Sequence, residues 1–143
     1  MRKLVIRFNA PATLTFALLA LGALLLGQTL GSGVTMKYFC VYRSSLADPL
    51  TYLRFFTHVL GHADYSHYMG NMLLLLLVGP PLEEKYGWKK MAWFMAVTAL
   101  VTGLVQFIFF PHTALLGASG IVFMMIVLSS FTESRGGGIP VTL

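Results

Sequence analysis

Four apolar runs in this chain are each long enough, or nearly so, to cross a bilayer, at about residues 11–30, 65–80, 88–110 and 114–131. A spanning helix needs about 20 mostly apolar residues. A chain of 143 residues has no way to bury four such runs in water, so the lipid must serve as their solvent. Composition agrees: apolar residues make up 57% and charged ones 10%, and the mean hydropathy is +0.76. The expected fold is all-α, a polytopic membrane helix bundle forming a single domain over residues 1–143, with a structured loop at 31–64.

The net charge of +5 does not point to nucleic acid. Its basic residues flank the apolar runs and form no patch interleaved with aromatics, so they read as topology signals. Arg2, Lys3 and Arg7 precede the first span, Lys85, Lys89 and Lys90 lie between the second and third, and Arg135 follows the fourth. Lys37, Arg43 and Arg54 fall on the other side, a margin of seven against three that places both ends in the cytoplasm. A secretory signal would also begin this way, but the first run is longer than a usual signal core and no clear cleavage site follows. The single cysteine, Cys40, excludes an intrachain disulfide and reads as a small buried or interfacial residue.

Along the chain, Pro11 opens the first span, and Gln28 is its only strongly polar interruption. In the following loop Leu50, Leu53, Phe56 and Leu60 share one helical face. That spacing predicts short helices in the headgroup region, with Arg54 snorkelling toward water. Asp64 or Ser66 caps the second span, which is expected to stop at Pro80-Pro81. Trp88 and Trp93 mark an interface on the third, which Pro111 terminates. Gly70 and Gly103 read as close-packing positions, and His112 as a cap or a water-facing residue. Residues 132–143 form a polar, glycine-rich exit.

With this topology the second and fourth spans run parallel, and their N-terminal ends share the outer leaflet. His67 and Asn71 are i,i+4 on the second and lie on one face. Imidazole and carboxamide are costly in hydrocarbon unless partnered or facing a wet cavity. The opening turn of the fourth span carries Gly117-Ala118-Ser119-Gly120. Its first backbone N–H groups lack intrahelical partners and point outward as donors. Flanking glycines allow close approach by a substrate carbonyl or, equally, by a packed helix. Serine hydrolysis needs a hydroxyl, a base and donors for the developing oxyanion. Ser119 supplies the first and, with His67 and Asn71, the third.

At these residues the sequence resembles the rhomboid intramembrane serine proteases. The resemblance rests on His62-Ala63-Asp64-Tyr65-Ser66-His67-Tyr68-Met69-Gly70-Asn71, followed two crossings later by Gly117-Ala118-Ser119-Gly120. It extends to Arg54, to Thr57-His58 and to the Glu-rich turn ending at Gly87, although Leu53 stands where family members commonly have Trp. The resemblance implies a six-helix core of which four helices are present. It makes Ser119 the nucleophile and lines the oxyanion hole with His67, Asn71 and the Ser119 N–H, supported by Gly117, Gly120, His62 and Arg54. The family's general base is a histidine on the sixth helix, a place none of the four histidines here occupies.

The implied activity is endopeptidase cleavage of transmembrane proteins near the outer leaflet, and the 143 residues alone are expected not to cleave. The alternative is a non-catalytic rhomboid-like protein that binds transmembrane segments. Expected partners are transmembrane substrates and the bilayer, not nucleic acid, and no organic cofactor is called for. No metal is expected either: His58 and His62 are i,i+4, but Val59 stands where a zinc-protease helix needs Glu. Gly117 and Gly120 are expected to meet a neighbour outside these residues, across an apolar groove.

Overall fold

Proline fits the first turn of a helix because its missing N–H is not needed there, and Pro11 opens α1, Pro11–Leu30. A computed structural model describes residues 9–133. Arg2, Lys3, Arg7 and Arg135, and the exit beyond Glu133, lie outside the described residues. Gly31, at φ +101°, ends α1 with a backbone conformation that a side chain would strain, and α2, Ser32–Tyr38, follows. Asp48 caps α3, Pro49–Thr57, by accepting from Leu50 N–H at 3.0 Å. Asp64 caps α4, Tyr65–Tyr86, by accepting from His67 N–H at 2.8 Å. Gly87, at φ +84°, separates α4 from α5, Trp88–Phe109, and α6 is Ser119–Glu133.

Packing is centred on α4, which meets α1, α5 and α6, while α3 lies on α5. The core is built from small residues and methionines: Ala17 and Ala20, Met72 and Leu75, Met91, Met95 and Ala99, then Ala118, Ile121 and Met125. Bulky apolar side chains point the other way, with Leu18, Leu73, Leu77, Phe109 and Phe123 all exposed. Small residues inside and large apolar ones outside are what lipid as solvent selects, since close backbone approach drives association there. By length and composition α1 and α5 suffice to cross a bilayer, and α6 has a shorter apolar stretch, Ser119–Phe131.

Two helix limits differ from expectation. The second expected span does not stop at Pro80-Pro81, because α4 runs through both prolines to Tyr86. Interior proline costs about 3 kcal/mol, and tertiary contact offsets it. Gly79 sits so close to α1 that a Cβ there would come within 2.7 Å of the Thr13 side chain. One turn on, the buried Glu83 carboxylate accepts from Ala12 N–H at 2.7 Å, Thr13 N–H at 2.9 Å and the Thr13 hydroxyl at 2.7 Å. Glu83 thereby caps α1, whose own N-cap, Ala10, has no side-chain oxygen to offer.

The fourth expected span starts later than residue 114. Residues 110–118 form a connection in which Leu115 and Val41 exchange two backbone hydrogen bonds of 2.9 Å. Helix begins only at Ser119.

Arg54 corrects the loop reading. It does not snorkel but is 2% exposed, stacked on the Tyr42 ring at 4.6 Å. It donates to Lys37 C=O at 3.0 Å and Ser44 Oγ at 3.1 Å, and pairs with Asp48 at 3.3 Å. The guanidinium is the hub about which residues 37–51 fold, which leaves the apolar face with Leu53 and Phe56 exposed. Arg43 ties the same loop to the end of α5, donating to Phe107 C=O at 2.7 Å and Ile108 C=O at 2.8 Å. Replacing Arg54 by Ala is expected to destabilise this loop by about 2–3 kcal/mol, since several charged hydrogen bonds to part-buried acceptors are lost. Limited proteolysis checks it: cleavage between residues 37 and 51 should quicken, and an unchanged digestion rate would refute the hub.

Candidate active site

The site grows from the first two turns of α4. Asp64 fixes where the helix starts, and the 3.6-residue period then stacks His67 and Asn71 on one face. His62 precedes the cap, is buried, and donates through Nδ1–H to Leu60 C=O at 3.1 Å. That bond leaves its Nε2 lone pair to accept from Asn71 Nδ2–H, also at 3.1 Å. The pairing sets both the imidazole tautomer and the carboxamide orientation, so the Asn71 NH2 group faces the site. Burial holds the His62 pKa below its usual value, and the neighbouring His67 lowers it further, against the Leu60 hydrogen bond. A neutral ring is what the Asn71 contact requires.

His67 stands edge-on to His62, with ring centroids 4.9 Å apart. Its Nδ1 accepts a long contact from Ala63 N–H at 3.5 Å, which leaves Nε2–H as the donor. Nε2 points at Gly117: a Cβ built on that glycine would lie 2.8 Å from Nε2, 2.9 Å from Cε1 and 3.7 Å from Asn71 Nδ2. Gly117 has φ +119° and donates its N–H to His58 C=O at 2.9 Å. Ala118 is then fully buried and Ser119, exposed, is the first residue of α6. Its N–H belongs to the free donors of a helix start.

Of the residues singled out by sequence, His62, His67, Asn71 and Gly117 are therefore brought into one cluster, with Ser119 two residues beyond it. Gly120 is not part of it. It faces α5, where a Cβ would meet Thr102 Cγ2 at 3.3 Å. The expectation that Gly117 and Gly120 face a neighbour outside the chain is thus corrected: α4 fills one and α5 the other. Arg54 is not part of the cluster either; its hydrogen bonds go to Lys37, Ser44 and Asp48 in the loop before α4. A Cβ on Gly103 would lie 2.9 Å from the Phe55 carbonyl oxygen, whereas Gly70 has open space beside it and is no packing contact.

The sequence reading missed what seats the Ser119 loop. His58, which the sequence set aside as a metal ligand, is 1% exposed. Its Nε2–H donates to Ala99 C=O on α5 at 2.9 Å, while its own carbonyl holds Gly117. Burial lowers its pKa too, more than the Ala99 bond raises it. Val41 holds Leu115 in the same way. Both anchors use backbone atoms, and backbone pairing across such distances leaves no mark on residue types. Among the described residues, no imidazole or carboxylate is hydrogen-bonded to the Ser119 hydroxyl.

Chemically, the cluster offers an imidazole N–H and a carboxamide N–H converging beside a helix start that carries a hydroxyl. Those are the parts that stabilise an oxyanion. The family model described as Rhomboid domain matches residues 49–136, which takes in the α3 hub, the α4 motif and Ser119. A similar curated protein, Rhomboid-related protein 2 of Mus musculus, is 33% identical over 89 residues, covering 57% of this chain. The match covers 30% of that relative, so the chain spans about a third of its length. With more than half of its residues matched and an all-helical, lipid-adapted bundle, this chain belongs to the rhomboid family of membrane proteins.

Proposed function

We propose that the chain carries the nucleophile and oxyanion hole of an intramembrane serine endopeptidase. The observation that carries this reading is the convergence of His67 Nε2 and Asn71 Nδ2 on Gly117, two residues before Ser119. In the proposed step the Ser119 oxygen attacks the carbonyl carbon of a transmembrane substrate. The carbonyl oxygen takes the negative charge and is held by His67 Nε2–H, Asn71 Nδ2–H and the Ser119 N–H. The serine proton passes to a histidine base, which in the resemblance sits on a sixth helix. That base returns the proton to the leaving amine, and water then releases the acyl group by the same route in reverse. The proposed topology has four crossings, both ends cytoplasmic, and the site opening toward the outer leaflet.

A second reading is a rhomboid-like protein that binds transmembrane segments without cutting them. The Ser119 hydroxyl, which lacks a base partner among the described residues, favours it. Reconstituted cleavage of a transmembrane reporter separates the two. The 143 residues alone should give no turnover, and co-reconstitution with a two-helix segment bearing the family's base histidine should produce it. Ser119→Ala should remove that gain. Turnover indifferent to Ser119→Ala would mean the nucleophile is elsewhere, and reporter binding with no turnover in any combination would leave the second reading standing.

A further inference from the structure

The N-terminal ends of α1 and α5 stand side by side, and between them runs an apolar groove of about 550 Å3. Pro11, Ala12 and Phe16 form one wall, Trp88, Ala92 and Met95 the other. At its end the Lys89 ammonium lies over the ring of Trp88, a lining residue, 5.6 Å from the centroid, so a cation stands beside the groove wall. Lys85, Lys90 and Glu84 are exposed on the same end of the bundle, while Glu83 is buried under α1.

We propose that this groove binds one acyl chain of an anionic glycerophospholipid, with the phosphate held by Lys89. Two observations choose this occupant. Apolar walls ending in a cation match the chemistry of a lipid whose headgroup keeps its negative charge, and basic pockets between membrane helices bind such headgroups. A zwitterionic lipid fits the walls equally but brings its own cation to Lys89. A second copy of the chain on a twofold axis would bring the two sets of lysines together, and like charges oppose that contact.

Trp88 itself reports occupancy. Trp93 is the other tryptophan in the chain, so a Trp93→Phe background leaves one indole on the groove. In phosphatidylcholine vesicles, dibrominated phosphatidylglycerol should quench Trp88 more strongly than dibrominated phosphatidylcholine at equal mole fraction. Lys89→Gln, an exposed change with the helix content checked by circular dichroism, should cut that preference about fivefold, the equivalent of one lysine near anionic lipid. Ala92→Leu, which fills the groove and leaves Lys89 intact, should abolish it. Equal quenching by the two lipids overturns the proposal, as does a preference that survives Lys89→Gln. Shielding of Trp88 from both lipids, by a second copy or by the chain's own first residues, overturns it as well.

Discussion

Glu83→Ala should lower the unfolding free energy of the bundle by about 3–5 kcal/mol, the range for breaking a buried, fully partnered charge. The carboxylate is 2% exposed and accepts three hydrogen bonds from the first turn of α1. Removing it strands the buried Thr13 N–H and hydroxyl and the part-buried Ala12 N–H without their acceptor. It also takes the negative charge from the positive end of a helix macrodipole. The loss then reaches α4, because the turn beyond Pro80-Pro81 is held against α1 by these bonds. Glu83→Gln keeps shape and one acceptor oxygen but turns an amide N–H toward a backbone N–H, so it should fall between wild type and Ala. Thr13→Val removes a single bond and should cost about 1–3 kcal/mol. Denaturant titration in micelles, followed by circular dichroism, ranks the three. An alanine variant as stable as wild type would show that α1 is capped by something else.

The same residues show where sequence reading stopped. Pro11, Gly87 and Asp64 act on their own neighbours, and each marks a helix limit that needs no tertiary knowledge. The spacing of His67 and Asn71 likewise follows from helix geometry alone. Pro80-Pro81 reads as a stop because the compensation comes from Gly79 against Thr13 and Glu83 against α1, both about 70 residues away. Arg54 reads as a snorkelling cation because its partners include a backbone carbonyl and the face of Tyr42, and neither declares itself as a partner. For Gly117 the residue type was informative and the partner was not. A glycine beside a serine signals close approach, but only the fold supplies the His67 ring as what approaches.

That close approach makes Gly117→Ala the most informative single change near the site. At φ +119° the backbone lies where an L side chain is strained, at a cost of about 1–3 kcal/mol. The new methyl would also stand 2.8 Å from His67 Nε2, closer than contact allows. His67 must swing away or residues 116–118 must move, and either displaces the imidazole donor relative to the Ser119 N–H. A misplacement of about 1 Å can lower turnover about 100-fold, and losing one oxyanion donor lowers it by a further factor of the same order. In the reconstituted cleavage assay Gly117→Ala should therefore lose at least about 100-fold in turnover, while reporter binding falls far less. Two other glycines serve as controls. Gly120→Ala meets only the Thr102 methyl at 3.3 Å, which a small shift relieves, and should retain most activity. Gly70→Ala points into open space within a helix and should leave the fold as stable as wild type or up to about 1 kcal/mol more so. If all three variants turn over alike, the donors gathered at Gly117 have no part in the chemistry. If Gly117→Ala alone fails, the oxyanion hole lies where His67 and Asn71 converge.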